Sequence, residues 1–215
     1  MISPINNVIV NNISPCKNKT TFNKNFADKV SFRGNPIYTV LSQNPNHIKA
    51  MSYIGINNIS KRTKNLLTKG YLWVMKKIVL IAEPAEILKD KNIYTVLAMD
   101  KNMTIKGGLL TRITPNTKSM HGYMLSIDRA GQSKKDSLKT FFEIGKKLCQ
   151  TCEEKNIEDF IWTINVKNKA LTNLFDKFSL RKISYNPKQI EYSTSIERLK
   201  EFLAEMSKKH SKILG

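Results

Sequence analysis

The chain has 215 residues, 40% of them apolar and 25% charged, enough for a buried core and consistent with one domain carrying short additions. Its 36 Lys and Arg against 17 Asp and Glu leave a net charge of +19, a field that attracts polyanions such as nucleic acid, an anionic surface or a phosphorylated cofactor. No stretch approaches the roughly 20 apolar residues of a membrane span, so no membrane partner is expected; no recognised nucleic-acid module is present either, which makes nucleic acid the lesser alternative.

The start, Met1-Ile2-Ser3-Pro4-Ile5-Asn6, lacks a basic region ahead of an apolar run, so no secretory signal is expected. Three cysteines, Cys16, Cys149 and Cys152, without such a signal point to a reduced, cytoplasmic setting. Residues 1–35 are rich in Asn, Lys, Ser and Thr and hold no sustained hydrophobic period, which predicts a disordered tail.

Pro36 to Leu41 reads as a strand, ended by Asn44-Pro45-Asn46. Helical spacing follows twice: Pro45 or Asn46 opens a helix through Ile54, and Ser60 caps another to about Lys69. Tyr71 to Ile81 fits a helical face through Leu72, Met75, Ile78 and Val79, yet Val79-Leu80-Ile81 also suits a strand start. Ile93 to Met99 is a strand, Asp100-Lys101-Asn102 a turn, and Thr104 to Ile113 the next strand, with Gly107-Gly108 marking a bulge or a close backbone approach. Pro115 to Ser119 is a polar loop.

Gly122 to Ile127 is a strand, and Asp128 to Lys135 a loop of small, polar and basic residues. A helix begins near Asp136 or Ser137 and runs to about Lys155. The first amides of a helix lack partners inside it, and the aligned peptide dipoles add about half a positive charge there, so such a junction suits phosphate. Phe160 to Ile164 is a strand, Lys169 to Lys177 a helix, and Leu180 to Tyr185 and Gln189 to Ser193 two further strands. Thr194 with Glu197 has the form of a capping box and opens a closing helix with Ile196, Leu199, Phe202, Leu203 and Met206 on one face.

Cys149-Gln150-Thr151-Cys152 has redox or metal spacing but lies within a helix and lacks a second Cys or His pair, so it reads as two half-buried thiols. His121 reads as a hydrogen-bonded or surface residue before the key strand, and Trp73, Trp162 and the Phe residues from Phe141 to Phe178 as core.

This order of elements resembles the GNAT superfamily of acyl-CoA-dependent N-acetyltransferases over about Pro36 to Ser193. The resemblance implies an α/β fold: a mixed, mostly antiparallel sheet flanked by helices, with a disordered tail (1–35), a GNAT-like domain (36–193) and a C-terminal helix (194–215). In that family the strand before the main helix splays from its neighbour and hydrogen-bonds the pantetheine arm, which implies contacts from the backbone of Leu125 and Ile127. The family loop reads Arg or Gln, two residues, Gly, one residue, Gly or Ala. Here Gln132-Ser133-Lys134-Lys135-Asp136-Ser137 holds that register, with Gln132 matching, Lys135 in place of the first Gly and Ser137 in the second small position. Bare backbone comes closest to phosphates at a Gly, and a Lys ammonium offers a charge instead.

The later family helix follows Asn, two residues, Ala, three residues, Tyr, three residues, Gly-Phe. Asn168, Leu171, Phe175 and Ser179-Leu180 hold those places. In many members the Tyr protonates the departing thiolate, which Phe175 cannot do. The resemblance therefore implies acetyl transfer from acetyl-CoA to an amine, with Leu125, Ile127, Gln132 to Ser137, Asn168 and Phe175 at the cofactor. In that family a carboxylate often takes the amine's proton; Glu83, Glu86 and Asp128 are candidates by rough position and none is singled out, so the catalytic residue is left open. Two alternatives are a GNAT-like module that binds without catalysis and a basic nucleic-acid-binding protein.

Overall fold

The computed structural model describes residues 36–81, 90–129 and 131–214. The predicted disordered tail and the candidate bases Glu83 and Glu86 lie outside the described residues. Seven strands form one sheet in the order β1-β2-β3-β4-β5-β7-β6. They are β1 (Tyr38–Ser42), β2 (Ile93–Met99), β3 (Ile105–Thr114), β4 (Ser119–Ile127), β5 (Asp159–Asn165), β6 (Arg181–Tyr185) and β7 (Gln189–Ser195). Every pairing is antiparallel except β4 with β5. The helices are α1 (Pro45–Arg62), α2 (Leu66–Ile81), α3 (Lys134–Glu154), α4 (Lys169–Lys177), α5 (Ile196–Lys209) and the short α6 (Ser211–Leu214).

Helices cover both faces of the sheet centre, so β2 is buried on both sides and reads as a continuous apolar run rather than an alternation. Val96 and Ala98 join Phe142, Ile144 and Leu148 of α3 and Phe202 of α5 in the larger core, while Leu97 joins Ile48 and Met51 of α1 in the smaller one. Gly108 makes the second contact possible: a methyl group there would lie 2.7 Å from the Met51 sulfur. The closing helix belongs to the larger core through Ile196, Leu199, Phe202 and Leu203.

Several helix ends differ from the sequence reading. One helix runs unbroken from Pro45 to Arg62, with Ser60 inside its last turns, and the break falls at Thr63 to Asn65. The Asn65 side chain, not Ser60, accepts from the Leu67 amide at 2.9 Å and starts α2, which resolves Tyr71 to Ile81 as helix. Ser133 rather than Asp136 or Ser137 caps α3. Ser195 rather than Thr194 caps α5, accepting from the Arg198 amide, while the Thr194 hydroxyl turns to the Ser195 carbonyl.

Candidate functional site: a fork in the sheet beside a helix N-terminus

The parallel pairing of β4 with β5 runs from Ser119↔Asp159 to Gly122↔Trp162 and stops there. Beyond it β5 stays paired to β7 as far as Asn165, and β4 stays paired to β3 as far as Ile127. The two central strands therefore part, and the sheet forks. A bulge sets the branch point: Gly122 faces Thr111 and Met124 faces Leu110, so Tyr123 has no partner on β3. An extra residue bends its strand and increases the local twist.

Aromatic rings hold the branch open. The Phe160 and Trp162 rings pack edge to face at 4.5 Å, and Trp162 meets Phe175 at 5.8 Å. Gly122 leaves room for them, since a methyl group there would lie 2.8 Å from the Phe160 ring. Beneath the fork, on the α3 face, Leu125, Phe141 and Trp162 help to enclose an apolar cavity of about 20 Å³.

The fork exposes backbone. The Asp128 amide donates to the Lys106 carbonyl of β3 at 2.8 Å. Backbone groups alternate sides along a strand in an antiparallel ladder. Met124 and Ser126 thus face β3 as Asp128 does, and Leu125 and Ile127 turn their amides and carbonyls toward the gap. The Ile127 carbonyl is occupied, accepting from Asn58 Nδ2 of α1 at 2.6 Å. The Leu125 and Ile127 amides and the Leu125 carbonyl have no protein partner among the described residues.

The strand leads directly into the loop and α3. Asp128 Oδ1 accepts from the Gly131 amide at 3.0 Å and tightens the turn. Ser133 Oγ accepts from the Asp136 amide at 3.0 Å and donates to the Asp136 carboxylate at 2.6 Å. This cap takes up one of the free donors, and the Ser137 amide takes the Ser133 carbonyl at 2.9 Å. What remains open among the described residues is the pair of amides at Lys134 and Lys135, the first two helical positions. Asp136 therefore serves the cap, and Ser137 belongs to the helix ladder.

Gln132 also turns inward. Its Nε2 donates to the Lys106 carbonyl at 2.7 Å, and its Oε1 accepts from Thr140 at 2.8 Å. It pins the loop to β3 and α3 and keeps the helix end level with the fork. The Lys134 side chain is exposed and that of Lys135 is half-buried, so both ammonium groups supplement the helix dipole at this end.

Across the gap, the exposed Asn168 caps α4, its Oδ1 accepting from the Leu171 amide at 3.4 Å. Phe175 is only 5% exposed, and its ring is enclosed by Trp162, Tyr192 and Phe202. It stands one ring behind the fork, as backing for Trp162. His121 is half-buried on β4 with its ring stacked near Tyr123 at 6.4 Å. Cys149 and Cys152 are fully buried, more so than the sequence reading has them, and burial pushes the thiols up to about 11 and about 12. Among the described residues no three His, Cys, Asp or Glu side chains gather as a metal ion would need.

Comparison with known proteins bears on the fold. No family model matches the sequence, and no curated protein matches it. Among solved structures, FdhC, described as a nucleotide-linked sugar GNAT in its apo form, superposes with a TM-score of 0.50 at 14% identity, over 84% of this chain and 96% of its own. A probable acetyltransferase from Staphylococcus epidermidis gives 0.48 at 12%, over 74% and 99%. At such identities the likeness is one of fold, and the fold is that of the GNAT superfamily.

Proposed function

We propose that this GNAT-fold chain binds an acyl-CoA at the fork and transfers its acyl group, an acetyl, to an amine. The observation that carries the reading is the run of open backbone donors from Leu125 through Ile127 to Lys134 and Lys135. A pantetheine arm contains two amides, and an extended chain of that kind is met by a strand edge as another strand would be. The diphosphate then falls at the start of α3, where two free amides and the helix dipole meet and Lys134 and Lys135 add positive charge. Asn168, at the start of α4, offers its Nδ2 to the far side of the arm.

The acyl group would sit near the Tyr123 bulge, where β4 turns away from β5. Bond formation needs the amine as its free base over the face of the thioester carbonyl: the C–N bond forms, the nitrogen gives its proton to water, and the C–S bond breaks to release the thiolate, with orientation supplying much of the rate. The Leu125 amide would polarise the thioester carbonyl. Phe175 donates no proton, so the thiolate takes one from water.

A second reading is a module that binds acyl-CoA without transferring the acyl group. The buried, hydroxyl-free Phe175 favours it. An assay of thiol release from acetyl-CoA across a panel of amines (polyamines, amino sugars, peptide N-termini and lysine side chains) separates the two. Thiol release that depends on one amine class supports transfer. Tight CoA binding with no release above the blank supports the silent module.

A further inference from the structure

The α1–α2 hairpin has a feature that the fork does not use: α2 faces solvent with its apolar side. Leu72 is its buried anchor, and Thr68 and Met75 flank it on the inner side. The opposite side carries Leu66, Leu67, Tyr71, Trp73 and Val74, with Leu67 85% and Trp73 62% exposed. At 100° per residue these five span about 160° of the helix circumference. A helix packed on a sheet normally turns such a stripe inward. Single exposed apolar residues are ordinary, whereas five on one arc, with Gly70 and Lys77 between them, mark a contact surface.

The charge around this arc has one sign. Between Lys61 and Ile81 the chain carries Lys61, Arg62, Lys64, Lys69, Lys76 and Lys77, and no acidic residue. Lys77 falls within the arc, about 40° round from Trp73, and lies over the Trp73 ring at 5.6 Å, so its stem covers apolar surface. Lys76 reaches back to Asn57 at 2.9 Å and holds the hairpin together.

We propose that the outer face of α2 lies on an anionic membrane surface. An apolar helix face with Trp and Tyr, flanked by cations, fits the boundary between headgroups and acyl chains. Negative lipid complements the six cations, whereas a second copy of this chain, itself +19, would be repelled. Nucleic acid would satisfy the cations and leave the apolar arc in water. Interfacial seating needs no spanning length, so it is compatible with the absence of any described helix long and apolar enough to cross a bilayer. The consequence for the chain is a position at the membrane.

The test is sedimentation of the full chain with vesicles, using phosphatidylcholine alone and phosphatidylcholine with 30% phosphatidylserine, together with tryptophan emission. The expected result is binding to the anionic vesicles only, with a blue shift that is absent in Trp73→Phe. Leu67→Glu with Val74→Glu, both at exposed sites, should reduce binding at least tenfold while the circular dichroism stays that of the wild type. Lys69→Glu should reduce it at least fivefold, about the share of one cation near such a surface. Equal binding by the Leu67→Glu, Val74→Glu variant would overturn the proposal, as would failure to bind either vesicle. Sedimentation equilibrium showing a dimer that this variant abolishes would overturn it in favour of self-association.

Discussion

Asn58 on α1 donates from Nδ2 to the carbonyl oxygen of Ile127 at 2.6 Å, and its Oδ1 accepts from the Arg129 amide at 3.3 Å. One side chain thereby fixes the end of the splayed strand from the opposite face of the sheet. The β3 ladder holds the other side of β4 as far as Ile127, and Asn58 adds a tether on the gap side. Asn58→Ala should cost about 1 kcal/mol, lowering the melting temperature by about 2–4 °C. CoA affinity should fall further than that stability loss alone requires, because the donors at Leu125 and Lys134 lose their mutual alignment. Thermal melts and calorimetric titration of the same variant check both halves.

Gly122 is the second test of the fork. The Phe160 ring occupies the place a side chain would take. Gly122→Ala must push that ring, and Trp162 behind it, toward the gap, at a cost of about 1–3 kcal/mol for overpacking. Gly70, which has open space around it, is the control: Gly70→Ala should stabilise α2 by up to about 1 kcal/mol. Denaturant midpoints for the two variants should move in opposite directions.

Phe175→Tyr asks whether the absent hydroxyl can be put back. The ring is enclosed by Trp162, Tyr192 and Phe202 rather than facing the gap. A hydroxyl added there is buried without an assured partner and should cost about 1–3 kcal/mol. No gain in the rate of thiol release is expected. A large gain would show that the ring reaches the thioester.

Much of this arrangement is written locally in the chain. The strands Ile93–Met99 and Asp159–Asn165 and the helix Lys169–Lys177 follow from hydrophobic period and turn residues alone. The helix caps do not. Ser133, Asp136 and Ser137 are all competent cap residues within five positions, and the choice falls to the tertiary anchoring of Gln132 on Lys106 and Thr140. The inward turn of Gln132 is invisible in a motif that names only residue types. The fork itself depends on where the β4–β5 pairing stops, and that pairing joins residues 40 apart in sequence, Ser119 with Asp159 through Gly122 with Trp162, which no local pattern encodes. On α2 the helical spacing marks Leu72, Met75, Ile78 and Val79 as one face and Trp73 reads as core, whereas Trp73 is 62% exposed and lies on the other side of the helix from Leu72.

His47 makes stability depend on pH. Burial holds its pKa below the ordinary 6.5, and Nδ1 lies 2.7 Å from Ser42 Oγ at the start of α1. The folded state thus binds the proton less readily than the unfolded one. The contribution is fully present above about pH 6.5 and is lost as pH falls through the folded value. His47→Gln should flatten the acid side of the stability curve below about pH 6.5, measured by denaturant titration at each pH.

Cys149 and Cys152 should be inert in the folded protein. Thiols pushed up to about 11 and about 12 are thiolate to only about one part in a thousand and one part in ten thousand at pH 8, and both are enclosed by α3 and its neighbours. A thiol reagent should modify them at the rate of global unfolding, and fast modification of both would contradict the packing described.

The central claim is that the open amides of Leu125, Ile127, Lys134 and Lys135 converge on one acyl-CoA. Calorimetric titration of CoA into the wild type and into Lys134→Glu, Lys135→Glu tests it most directly. The expected result is saturable one-to-one binding by the wild type and at least a tenfold loss in the variant, with unchanged melting temperature. No binding of CoA or acetyl-CoA by the wild type at millimolar ligand, or equal affinity in the variant, would contradict it.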